Sequence, residues 1–69
     1  MRLSARNQLN GTVAAVEDGA VMTIVKVDIG GGQSVTASVT KESVAELGLT
    51  IGAPVTAVIK STEVMLGVD

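Results

Sequence analysis

Two short segments concentrate the side chains that could do chemistry. One reads Ser4-Ala5-Arg6-Asn7-Gln8 and the other, more than fifty residues later, Lys60-Ser61-Thr62. Both are rich in hydrogen-bond donors and contain no carboxylate. Arg6 offers five N–H donors in a planar fork, Lys60 a mobile ammonium, and Ser4 and Ser61 their hydroxyls. Irregular backbone at a strand junction adds N–H groups suited to an anion. Brought together, the segments would hold a small oxyanion by charge-assisted hydrogen bonds. Spacing alone leaves a plainer alternative open, in which Arg6 and Lys60 are solvated charges near strand ends and Ser61-Thr62 is an ordinary turn.

Other chemistry is poorly provided for. The 69 residues include no Cys, His, Phe, Trp or Tyr. That removes disulfides, a structural zinc site, Ser–His or Cys–His nucleophiles and a Tyr acid, so no enzyme is expected. The seven carboxylates (Glu17, Asp18, Asp28, Glu42, Glu46, Glu63 and Asp69) never gather at metal-ligand spacing. No metal cation site is expected. Nucleic acid fits no better: there is no aromatic to stack a base, the five basic residues are dispersed, and the net charge is −2. No apolar run reaches the length of a membrane span and no signal-peptide pattern is present, so a cytoplasmic protein without a membrane partner is expected.

The positioning elements are strands. Val, Ile and Thr make up a third of the chain, and such stiff β-branched side chains suit pleated, half-buried surfaces. A first strand is expected over Leu9–Glu17, closed by Asp18-Gly19 as a type I′ hairpin turn. A second follows over Ala20–Ile29, with Val21, Thr23, Val25, Val27 and Ile29 on one face. Gly30-Gly31-Gly32 turns the chain into a third strand, Gln33–Thr40, where Val35, Ala37 and Val39 face in. The period then changes. Thr40 caps a short helix, Lys41–Leu47, with Val44 and Leu47 toward the core and Gly48 in the left-handed region behind it. A fourth strand, Val55–Lys60, and a fifth, Thr62–Leu66, complete the pattern. This is the element order of an all-β, small OB-like Greek-key barrel of five antiparallel strands, with one short helix between strands 3 and 4.

So short a chain buries a marginal core, and without disulfides or metal its remaining aid is oligomerisation. The second strand is apolar on parts of both faces, with Met22 and Ile24 opposite Val21, Val25 and Val27. A second subunit over the outer side would account for that.

The run Ser4-Ala5-Arg6-Asn7-Gln8-Leu9 followed by Gly11 resembles the N-terminal signature of the molbindins, the small stand-alone Mop (TOBE-type) proteins. The likeness continues through Glu46-Leu47-Gly48-Leu49, Gly52 and Val55-Thr56-Ala57-Val58-Ile59-Lys60-Ser61-Thr62-Glu63-Val64-Met65. It covers nearly the whole chain and implies a single Mop domain over residues 1–69. The resemblance further implies cytoplasmic molybdate and tungstate binding, without a cofactor, in homo-hexamers built as trimers of dimers. The anion sites of such hexamers lie at subunit interfaces, and the role is molybdenum storage or homeostasis. Carried over residue by residue, Ser4, Ala5 and Arg6 match one part of the main site, and Lys60 and Ser61 the other. The family's second type of site, near the three-fold axis, cannot be placed on this sequence. Glu63, close behind Lys60, would weaken binding if it pointed at the ammonium.

The donor set agrees with such a ligand. Molybdate, tungstate and sulfate are proton-free tetrahedral dianions at neutral pH, whose oxygens only accept. A phosphate ester, with a second pKa of about 6, is partly protonated there and gains from an acceptor. Charge does not separate the three dianions; size and donor distances must. With a net charge of −2, binding rests on local geometry around Arg6 and Lys60 and not on an overall positive field. A second reading is a β-barrel module for protein–protein assembly, whose donor segments serve only as interface hydrogen bonds.

Overall fold

Alternating β-branched residues become four antiparallel strands in the computed structural model, which describes residues 1–69. They are β1 (Asn7–Asp18), β2 (Met22–Gly30), β3 (Gln33–Thr40) and β4 (Pro54–Ile59), with helix α1 (Lys41–Leu47) between β3 and β4. The sheet order is β3-β2-β1-β4. β1 is long enough to serve two partners. Its first half, Asn7–Thr12, pairs with β4, and its second half pairs with β2. The ladder slips by one residue between Val13 and Ala15, a bulge of the kind that bends a strand and increases its twist. The curled, all-β OB-like architecture agrees with the sequence reading.

Val13, Val25, Val27 and Leu49 form the core, with Val16, Ile29, Val39, Val44, Ala53 and Val55 half-buried around it. Thr23 is wholly buried, and its hydroxyl donates to Asp18 Oδ1 at 3.2 Å, so the polar atom taken from water keeps a partner. Gly11 lies where β1 crosses β2. A Cβ there would run into the Asp28 carbonyl oxygen and approach Val27 Cγ1 to 2.9 Å.

The helix is built from its ends. Thr40 Oγ1 accepts from the Ser43 N–H at 3.0 Å. At the other end Gly48 adopts φ 62° and its N–H reaches the Ala45 carbonyl, while the Leu49 N–H reaches Val44 at 3.0 Å. These two bonds are the paired closure of a Schellman motif. Replacing the capping hydroxyl by Thr40→Ala should cost about 1 kcal/mol. In a domain of this size that lowers Tm by about 4–8 °C. An unchanged melting curve would show that the cap contributes nothing.

Four expectations are corrected. The Asp18-Gly19 turn is not type I′, because neither residue has positive φ; the ladder resumes at Thr23 opposite Asp18, across a longer loop closed by Gly19 N–H to the Met22 carbonyl at 2.8 Å. Val21 therefore lies outside β2 and is exposed. Leu47 is 70% exposed, and Leu49, folded back by the Schellman bonds, takes the core position. The fifth strand does not form in the isolated chain. Ser61–Glu63 is a single 3-10 turn, and the residues after it pair with no strand. The sheet is thus open between β3 and β4, above an apolar cavity of about 440 Å³. No helix is long and apolar enough to cross a membrane.

Candidate functional site

The pairing of β1 with β4 decides where the donor segments lie. Asn7 stands opposite Ile59, so Arg6 and Lys60 are the next residues outward on adjoining chains at the same end of the sheet. Ser4 and Ala5 continue one side, and Ser61 the other. The register therefore sets Ser4-Ala5-Arg6, just before β1, and Lys60-Ser61, just after β4, at the same end of the sheet, although more than fifty residues separate them in sequence. Ala5 is half-buried, and Ser4, Arg6, Lys60 and Ser61 are exposed.

The side-chain hydrogen bonds of the chain leave Ser4, Arg6, Lys60 and Ser61 unengaged. Two amides of the same region are not free. Asn7 Nδ2 donates across to the Ile59 carbonyl at 3.1 Å, and Gln8 Nε2 back to the Ala5 carbonyl at 2.9 Å. Both were counted from sequence as part of a donor-rich segment; each is spent on backbone. Residue type announces such amides, but the partner of Asn7 depends on a strand register that spacing does not give, while Gln8 bonds only three residues back.

The 3-10 turn engages two further carbonyls. The Glu63 N–H reaches the Lys60 oxygen at 2.9 Å and the Val64 N–H the Ser61 oxygen at 3.4 Å. Glu63 is therefore joined to Lys60 through backbone, with its exposed carboxylate at the end of the turn. The arrangement presents two cationic heads and two hydroxyls at one sheet end, with the Ala5, Ile59, Lys60 and Ser61 carbonyls accepting hydrogen bonds within the chain. No group of three or more His, Cys, Asp or Glu comes together to hold a metal cation.

Comparison with known proteins agrees with this fold. The TOBE domain family model matches residues 3–66. A probable molybdenum-pterin-binding protein of Haemophilus influenzae is 48% identical over 69 residues, all of both chains. MopII of Clostridium pasteurianum superposes with TM-score 0.90 at 45% identity, covering 97% of this chain and 100% of its own. The cytoplasmic molybdate-binding protein ModG, in a form with molybdate bound, gives TM-score 0.95 at 55% identity over 100% of this chain and 49% of the ModG chain. The chain belongs to the TOBE domain family, among its small Mop-type molbindins.

Proposed function

We propose that this chain is a single Mop domain over residues 1–69 that binds molybdate, and tungstate in the same place, and is not an enzyme. Ser4, Ala5, Arg6, Lys60 and Ser61 hold the anion at the interface between copies of a cytoplasmic homo-oligomer, a hexamer of three dimers, which stores or buffers molybdenum. One observation carries the reading: the Asn7–Ile59 register sets Arg6 beside Lys60 with neither side chain hydrogen-bonded within the chain. The binding named for the similar proteins supports the choice of molybdate. Zero aromatic residues and dispersed basic charge leave nucleic acid without support.

Assembly is supported by what the isolated chain leaves uncovered. Only five residues are buried, and Val64, Met65, Leu66 and Val68 all lie exposed beyond the 3-10 turn. Apolar surface of this extent, together with the open crevice between β3 and β4, calls for another subunit.

A ligand held between subunits stabilises the assembly. At a free concentration of 100 times Kd, molybdate adds about 2.7 kcal/mol, which raises Tm by about 10 °C or more in so small a chain. Thermal melting and sedimentation with and without molybdate check this. An oligomer indifferent to molybdate would leave the protein–protein assembly reading in its place.

A further inference from the structure

A store must release its anion as well as hold it. Arg6 and Lys60 supply attraction, so an opposing charge has to come from elsewhere in the chain. Of the seven carboxylates, six stand away from the donor segments. Glu17 and Asp18 close β1 at the end opposite Asn7, Glu42 and Glu46 lie on α1, Asp28 accepts from the Gly30 N–H, and Asp69 follows the apolar run beyond the 3-10 turn. Glu63 differs. It ends the turn that Lys60 opens, and its N–H is bonded to the Lys60 carbonyl at 2.9 Å.

That bond fixes how the two residues stand. Side chains three apart in a 3-10 turn lie one above the other. A Glu in the third position of a turn is also placed to reach back to the residue that opens it. Both side chains are exposed, and neither takes part in a side-chain hydrogen bond within the chain. The Lys60 ammonium thus has one anionic neighbour tied to it through backbone, and it is free to turn from that neighbour to a ligand.

We propose that Glu63 sets release from this site, as an internal anion that shares the Lys60 ammonium with the ligand. The proposal rests on the oxyanion reading and adds to it the residue that opposes binding. In the empty site the carboxylate draws the ammonium to itself. A bound dianion takes the ammonium over and then faces a negative charge held near it by the turn. Glu63 acts through Lys60 and through space, and contributes no acceptor to the ligand. Such repulsion raises Kd chiefly through faster dissociation, where most differences between related complexes lie. Packing does not demand the charge, because the side chain is exposed and bonded to nothing. A Gln would keep the shape and the backbone bond without it.

The test compares the intact protein with Glu63→Gln, which removes the charge, and Glu63→Asp, which keeps it. Molybdate affinity is titrated calorimetrically at about 0.01 M and about 1 M salt, where the Debye length falls from about 30 Å to about 3 Å. Glu63→Gln should tighten binding about three- to tenfold at low salt, the scale of one exposed charge contact. At high salt the gain should vanish, and Glu63→Asp should stay near the wild type at both. Circular dichroism should show the same fold in all three proteins. Unchanged or weaker binding by Glu63→Gln would overturn the proposal, as would a gain that persists at high salt. A Glu63→Asp protein that binds as tightly as Glu63→Gln would also overturn it, since the charge is still there. If the wild type binds no tetrahedral anion at all, the oxyanion reading itself falls and takes this inference with it.

Discussion

Arg6→Ala and Lys60→Ala each weaken molybdate binding by about ten- to a hundredfold while leaving the fold in place. The magnitude follows from the loss of one charge-assisted contact, worth about 1.5–3 kcal/mol, at about 1.4 kcal/mol per tenfold. Both side chains are exposed and neither makes a side-chain hydrogen bond within the chain, so no folded-state contact of the monomer is lost with them. Arg6→Lys should recover only part of the loss, because the compact ammonium lacks the planar fork. Calorimetric titration reads affinity, and circular dichroism reads the fold. Unchanged affinity in both alanine variants would show that the site lies elsewhere.

Gly11→Ala is the substitution expected to damage the fold most for its size. The added methyl would meet the Asp28 carbonyl oxygen and Val27 Cγ1, both on the strand against which β1 lies. Backbone oxygen cannot turn away as the end of a flexible side chain can. Overpacking of this kind costs about 1–3 kcal/mol. In a chain of this length Tm then falls by at least about 4–8 °C, and by more at the upper end of that cost. Gly30→Ala offers a comparison, since nothing lies within 4 Å of its Cβ position and only its φ of 91° opposes the change. A Gly11→Ala protein that melts with the wild type would show that β1 and β2 can separate there at no cost.

What was legible in the sequence is what depends on neighbours a few residues away. The alternation of Gln33–Thr40, the Thr40 cap and the left-handed Gly48 are all local, and all appear as expected. Misreadings arose where a partner elsewhere decides. Thr62–Leu66 ends in an apolar run that reads as a strand, yet no edge of the same chain pairs with it, and Glu63 and Val64 spend their N–H groups in a 3-10 turn. Asp18-Gly19 has the composition of a tight turn, but the Asp18–Thr23 register demands a longer loop. Helical spacing placed Leu47 inward; the Schellman closure delivered Leu49 instead.

The candidate site divides in the same manner. Its residue types were visible from the start, since Arg, Lys and Ser without carboxylates describe an anion's surroundings. Their meeting was not, because it rests on the register of strands fifty-two residues apart. The duty of Asn7 was hidden for the same reason: its amide looked like a free donor until β4 supplied the carbonyl of Ile59, whereas the Gln8 amide is taken up locally by Ala5, three residues back.

The central claim is a donor-only site for a proton-free tetrahedral dianion, and the most direct measurement is calorimetric titration of the wild-type protein with molybdate, tungstate, sulfate and phosphate at neutral pH. Saturable heat with molybdate and tungstate is predicted, with phosphate weaker than sulfate by about tenfold or more, as loss of one hydrogen bond requires. Absence of saturable binding with molybdate, or phosphate binding as tightly as sulfate, would contradict it.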